Sequence, residues 1–368
     1  RPELGGFFFE MEFVFMRQTN PLQDQTIAIR GFQDTDGSIT NGTPGTFLGS
    51  GFEALNAKQA SGPGTYVPGY RIGLGYRFRN GITAELWYLH LNNARFQAGA
   101  TLAAPSFPPP GQLDPALANT FLFSPVFNFP TDFAGPGRNG TVDIPPGTPR
   151  APFGIWNAAD EMLIKFEQRL DRWELRFRVP IWETEYDPVH NPDKLGLRLY
   201  GLWGFRHTWL WERFQWRTVD RAINGAAGPE DVAIYSNVVS QPMYGAFIGW
   251  GFEKYFGHGL ALTMDLSSVG YINFVREIAR WERGDEAAGS KRANREYTFA
   301  PELQAHFNLW WYPIEGVQLR VGYDVIGIFN TIASPQPVDF NFTAPAPRWE
   351  HKAVRLIDGI NVGVGFIF

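Results

Sequence analysis

Charged side chains recur at every second position along several stretches of this sequence. Arg71, Arg77 and Arg79 alternate with Tyr70, Ile72, Tyr76 and Phe78. Glu174, Arg176 and Arg178 alternate with Trp173, Leu175 and Phe177, and Arg320 and Asp324 with Leu319, Val321, Tyr323 and Val325. Glu85, Arg198, Arg206, Glu212 and Asp265 take the same phase in their own stretches. Arginines beside carboxylates can do two things. Around water they select among ions and polar solutes; against each other they interlock as bidentate pairs and close the space between them. The set expected to line such a space is Arg71, Arg77, Glu85, Glu174, Arg176, Arg178, Arg198, Arg206, Asp265, Arg320 and Asp324. Arginine outnumbers acid in it, so an open pore would prefer anions mildly.

Other chemistry is harder to find. There is no Gly-x-Ser-x-Gly, no His-Glu-x-x-His and no phosphate loop. The histidines at 90, 190, 207, 258, 306 and 351 are scattered without metal-ligand spacing. His306 falls in phase with Gln304 and Asn308 and reads more readily as a hydrogen-bonded interior histidine than as a catalytic one. Asp34-Thr35-Asp36-Gly37-Ser38 has the oxygen spacing of half a calcium loop, but the acid expected at its far end falls on Gly45, which leaves an Asp-Gly turn. With no cysteine there is no thiolate site and no disulfide. The expectation is therefore a non-enzyme with no cofactor and no metal.

The alternation fixes the elements that must carry these groups. Period two means strands with one apolar and one polar face. The chain is 16% aromatic, with 32 Phe, 13 Trp and 13 Tyr, yet only 19% charged, and its mean hydropathy is −0.22. The uncharged runs at 232–252 and 115–131 contain polar residues or prolines, so neither suits a spanning helix, which needs about 20 apolar residues. The strands are long enough to cross a bilayer, which takes about 9 to 11 tilted residues. Aromatics cluster near their ends, as at Trp250 and Phe252 or Trp310-Trp311-Tyr312. The polar face carries Arg, Gly, Asp and Asn where a soluble sheet would carry Lys, Glu and Thr. The fold class expected is all-β: a transmembrane antiparallel up-and-down β-barrel, apolar outside and polar inside. A net charge of −5 argues against a nucleic-acid partner.

The last strand ends Gly365-Phe366-Ile367-Phe368. A terminal strand closing on an aromatic resembles the C-terminal signature of bacterial outer-membrane β-barrel proteins. Asn308–Val317, followed by Asn330–Pro335, is similar to a functionally unassigned outer-membrane barrel family of planctomycete-type bacteria. The resemblance implies the bacterial outer membrane, a lipid bilayer with its outer-membrane lipid as partner, and no particular activity. The chain opens Arg1-Pro2-Glu3 without a basic and apolar leader, which reads as a form whose signal peptide has been cleaved.

Residues 1–368 read as one barrel domain with large loops at 19–65, 96–156 and 331–354. Eleven segments alternate, with tight connections expected at Asn80-Gly81, Asp171-Arg172, Gly257-His258-Gly259 and Glu315-Gly316. Bacterial barrels take even numbers, so about twelve strands are expected, within ten to fourteen. The parity fault is placed near 187–231, where Leu195–Thr218 could break at Gly201 or Gly204; an alternative is a strand hidden at Thr26–Phe32. The loop 96–156 carries Phe121, Phe123, Phe127 and Phe129, which could form a lid, a constriction or a docking patch. The function expected is porin-like diffusion of small polar solutes. The alternative is a closed barrel serving as a structural or surface-interaction platform. Gly249 and Gly251 beside Trp250 suggest one flat face on which a homo-oligomer could form.

Overall fold

A computed structural model of the chain describes residues 6–34, 46–48, 52–61, 66–101, 122–128, 155–156, 159–184, 196–220, 227–342 and 347–368. Its strands, in chain order, are β1 (Gly6–Gln18), β2 (Thr26–Arg30), β3 (Phe32–Asp34), β4 (Thr46–Leu48), β5 (Glu53–Asn56), β6 (Val67–Arg77), β7 (Thr83–Thr101) and β8 (Leu122–Phe123). There follow β9 (Glu161–Glu183), β10 (Leu197–Val219), β11 (Val232–Gly257), β12 (Leu260–Arg283), β13 (Gly289–Ile314), β14 (Val317–Gln336) and β15 (Arg348–Ile367). Ten of them close a ring in the order β1-β15-β14-β13-β12-β11-β10-β9-β7-β6, with β6 hydrogen-bonded back to β1. Every pairing is antiparallel, so the fold is the up-and-down barrel the alternation predicts. Its strand count is the lower bound of the expected range.

Glycine and turn geometry set the strand joints. Gly81, Gly259 and Gly316 sit at φ +83°, +77° and +80°, and His258 at +51°, backbone that glycine adopts without a Cβ clash. These short joints share one end of the barrel with Gly6 and Phe368; we call it the turn end and the opposite one the loop end. Asp171-Arg172 is not a joint. Asp171 pairs with His90 and Trp209, and Arg172 with Leu89 and Thr208, in the middle of the continuous strand β9. Counting β9 as two strands made the total odd. The fault therefore lies there, and β10 runs unbroken through Gly201 and Gly204. The segment at Thr26–Phe32 does contain a strand, β2, but it belongs to a small β5-β2-β8 sheet outside the ring.

The outer face is apolar all the way round. Phe13, Leu74, Leu86, Leu175, Phe205, Ile248, Ile272, Leu303, Val321 and Val362, one from each ring strand, are all exposed large hydrophobics. In water such a belt would be an aggregation surface; in a bilayer it is the lipid contact. Polar groups close it towards the loop end. The Asp171 carboxylate accepts from Tyr88 Oη at 2.8 Å and Arg169 Nε at 2.6 Å and contacts His90 Nδ1 at 2.6 Å. The Arg169 guanidinium lies 4.9 Å over Trp209, an aromatic anchor of the kind found where ring bodies meet lipid and tips meet water.

Inward glycines make room for the neighbours' interior side chains. A Cβ on Gly73 would fall 2.5 Å from the Trp87 ring, and one on Gly251 would fall 2.4 Å from Asp265 Oδ1. Gly251 and Gly249 thus lie on the inner phase, away from the lipid face, and provide no flat contact surface for a second copy.

Strands β11, β12 and β13 have 26, 24 and 26 residues, far more than the crossing needs. Past the apolar belt their phases exchange solvents. Arg276, Arg280, Lys291 and Arg295 are exposed outside, while Tyr235 and Trp281 are buried inside. The loop-end mouth is filled by Leu22, Ile27, Leu55, Leu122, Val126, Ile155, Trp156, Val338 and Phe342, packed with Phe214, Trp216, Tyr235 and Trp281 into one core.

This division makes a positional prediction. Ile248→Arg, in the belt, should destabilise the folded barrel by about 2–4 kcal/mol, the cost of a cation near the bilayer midplane. Ala293→Arg, on the polar extension, should change stability little. Urea unfolding from lipid vesicles measures both.

Candidate functional site

The strand phase decides which charges enter the lumen, and all eleven candidates enter it. Arg71, Arg77, Glu85, Glu174, Arg176, Arg178, Arg198, Asp265 and Arg320 line a cavity of about 1110 Å³ that reaches the turn end at Gly6, Gly316 and Phe368. Arg206 and Asp324 lie in the lumen beyond its lining, 2% and 1% exposed.

At the inner end of this cavity the charges stop lining and start interlocking. Arg206 donates to Glu174 Oε2 at 2.6 Å and to Glu302 Oε1 at 2.5 Å. Arg172 donates to the other Glu302 oxygen at 2.6 Å and to Thr208 Oγ1 at 3.0 Å. Arg71 donates to Glu12 at 3.0 Å and also to Asp324. Asp324 accepts from Asn361 at 3.1 Å and contacts His306 Nδ1 at 2.5 Å. Arg320 pairs with Glu12. The Arg176 and Arg178 guanidiniums each lie 3.6 Å from Asp265 Oδ2, and Tyr200 donates to Oδ1 of the same carboxylate. His306 Nε2 is buried with no partner, so the interior histidine expected from the sequence is satisfied on one nitrogen only.

Above this lattice lies an apolar layer of Val14, Leu89, Leu170, Leu210, Met243, Val269, Tyr271, Ile326, Ile328 and Ile357, all 3% exposed or less and packed as one cluster. Above that layer Arg355 donates to both oxygens of Glu212, at 2.5 and 2.6 Å. Glu212 is on β10 and Arg355 on β15, five strands apart in either direction round the ring. The bidentate pair therefore runs from one wall to the opposite wall. Gln168 extends it, donating to Glu212 at 2.8 Å and to Gln18.

Three essential members of this lattice are absent from the sequence-level set. Arg172 is hidden by reading Asp171-Arg172 as a turn. Glu302 and Arg355 lie in phase with His306 and Asn361, so carrying the alternation further along β13 and β15 would have found them. The cavity lining also carries Glu10, Glu183, Glu253 and Glu315, so among the described residues its seven acids match its seven arginines, and the arginine excess behind the expected anion preference is gone.

The phenylalanine candidates fare differently. Phe121 and Phe129 lie outside the described residues, as do residues 35–38 of the half calcium loop. Phe123 is half-buried opposite Ile29, and Phe127 is 51% exposed. The loop aromatic that enters the barrel is Trp156, with ring centroids 5.0 Å from Trp216 and 4.8 Å from Phe342.

No protein-family model matches the sequence, and no curated protein is similar to it. Solved structures of similar form are bacterial outer-membrane barrel proteins. One is the outer-membrane protease OmpT from Escherichia coli, at 9% identity over 99% of this chain and 97% of that one, with a TM-score of 0.37. A mutant of the TodX monoaromatic hydrocarbon channel shares 8% identity over 100% and 91%, at 0.26. An anion-selective porin from Comamonas acidovorans shares 11% over 99% of each chain, at 0.17. The planctomycete-type resemblance gains no support from them. At these scores no activity transfers in either direction, but the protease does overturn the expectation of a non-enzyme. Outer-membrane barrels include an enzyme, so a missing serine motif excludes no activity here.

The cross-lumen pair carries a stability prediction. Glu212→Gln leaves the Arg355 charge buried without its counter-charge and should destabilise the barrel by about 3–5 kcal/mol. Arg355→Met with Glu212→Leu, which removes both charges, should fall well short of that loss. Urea unfolding in detergent micelles checks both.

Proposed function

We propose that residues 1–368 form a single outer-membrane barrel domain that is closed to free diffusion, with its turn end in the periplasm and its loop end at the cell surface. Short turns at one end and large loops at the other support this orientation. The observation that carries the closed reading is the Arg355–Glu212 pair spanning the ring above a buried apolar layer. Porin-like diffusion would need a path through both. The barrel is then a platform, and what it presents outward is the cap built from the β5-β2-β8 sheet and the aromatic core beneath it. The exposed Phe52 and Phe127 on that cap suit contact with a partner surface.

A second reading rests on the cavity. It is open at the turn end and lined by both signs of charge, which suits a small polar solute carrying a charged group. In this reading the barrel is a gated passage and the cross-lumen pair is its bolt. The nine inward residues that line the cavity then act as a binding wall on the periplasmic side rather than as the lining of an open pore. A homo-oligomer is compatible with either reading.

Planar-bilayer recording separates them. The closed platform predicts no unitary steps from the wild type and none from the double variant Arg355→Ala, Glu212→Ala, because the apolar layer still seals the lumen. The bolted passage predicts a silent wild type and discrete steps from the double variant. Discrete steps from the wild type itself would restore free diffusion and defeat both.

A further inference from the structure

Near the loop end the barrel wall has a seam. The β13–β14 ladder stops at Glu302↔Ile328, although both strands continue towards the loop end. Past that point β14 leans into the lumen. Ile332 is fully buried, its N–H and C=O both hydrogen-bonded to the Gln241 side chain of β11. Ser334 accepts from Asn237 of the same strand at 2.6 Å. With β14 drawn inward, the ends of β13 and β15 face each other across the place it has left.

Three side chains converge there: Glu277 from β12, Glu296 from β13 and His351 from β15, with one potential ligand atom of each within 4.8 Å of the others. His351 Nδ1 lies 3.1 Å from Glu296 Oε1. Asn294 donates to Glu277 Oε2 at 3.0 Å. The other Glu277 oxygen, Oε1, has no partner, although the residue is fully buried. A bare buried carboxylate oxygen is costly and calls for a missing donor or ion. An acid–imidazole ion pair alone would explain His351 and Glu296, but it leaves this oxygen unexplained.

We propose that Glu277, Glu296 and His351 form a binding site for a divalent transition-metal ion, of which zinc is the type. Two carboxylates and one imidazole are a ligand set for zinc and its neighbours, whereas calcium and magnesium prefer oxygen alone. The two carboxylates neutralise the ion's charge. Bonds of about 2.0–2.2 Å at tetrahedral angles put ligand atoms about 3.3–3.6 Å apart, which atoms already within 4.8 Å of one another reach by side-chain adjustment. The His351 side chain is 54% exposed and that of Glu296 28%, so the ion has an entry path and a solvent-facing fourth position. The bound ion ties the hydrogen-bonded β12–β13 pair to β15 across the seam that β14 no longer closes on β13, as a staple. Sequence spacing could not find this site, because its ligands come from three strands and Glu277 and His351 are 74 positions apart in the chain.

The test uses the folded full chain without a histidine tag, stripped with chelator. Zinc alone is titrated by calorimetry, and its effect on the unfolding temperature is followed. We expect one saturable zinc per barrel and an upward shift in unfolding temperature, since an ion that binds only the folded state stabilises it by mass action. His351→Ala, at an exposed position, and Glu277→Gln should each weaken binding by more than about tenfold and remove the shift. Cobalt should give a visible d–d band that both variants lose. Absence of saturable zinc binding, or binding and shift unchanged in His351→Ala, would overturn the site. So would saturation by calcium in preference to zinc.

Discussion

A ring of ten strands encloses a lumen too narrow to leave empty and too wide for one layer of backbone to fill. The Arg355–Glu212 pair solves this by reaching from one wall to the opposite wall, and it sets the terms for what surrounds it. A guanidinium taken out of water must meet a carboxylate with matched geometry. Glu212 meets it with both oxygens, Thr331 Oγ1 and the Ile332 carbonyl accept from the same guanidinium, and Gln168 donates to the same carboxylate. Below it the same rule repeats in Arg206–Glu302–Arg172 and Arg71–Asp324, each crossing several strands of the ring. These links do more than cancel charge. Each holds two distant strands at a set separation, so the lattice constrains the cross-section of the barrel as well as filling it.

The strands divide along their length as well as across their faces. Over the belt they are apolar outside and charged inside; beyond it, on β12 and β13, arginine and lysine face out while Tyr235, Trp281 and Trp216 face in. One strand thus obeys membrane rules and then soluble-protein rules without breaking its alternation. The exchange is possible because the pleat carries no preference for either face; only the solvent outside does. The cap residues Trp156 and Phe342 are what make the second regime stable, since they cover aromatic rings that would otherwise stand at an open mouth.

Between those regimes the interior polarity changes from lattice to layer to cap. A charge lattice bordered by a cavity at one end and by a buried apolar layer at the other is asymmetric along the barrel axis. Small polar groups can approach the lattice from the turn end and meet Arg71, Arg176 and Arg178. From the loop end they meet only packed side chains. His306 sits on the wet side with one nitrogen held by Asp324 and the other bare.

Much of the barrel is legible one strand at a time. Alternation alone identifies all ten ring strands, the lipid face, the inward arginines and the tight turns at Gly81, Gly259 and Gly316, because period two and positive φ are local properties of the chain. The count went wrong only where Asp171-Arg172 mimics turn chemistry inside a strand. What alternation leaves undecided is which inward residue meets which. Arg355 finds Glu212 143 positions away, and Glu277, Glu296 and His351 meet where β14 leaves its ladder with β13. Those meetings depend on the register and closure of the ring, and closure is a property of all ten strands together. The sequence by itself therefore determined that the wall faces lipid outside and carries charge within. Only the tertiary structure decided that those charges meet one another across the lumen, because the diameter of the ring sets how far each side chain must reach.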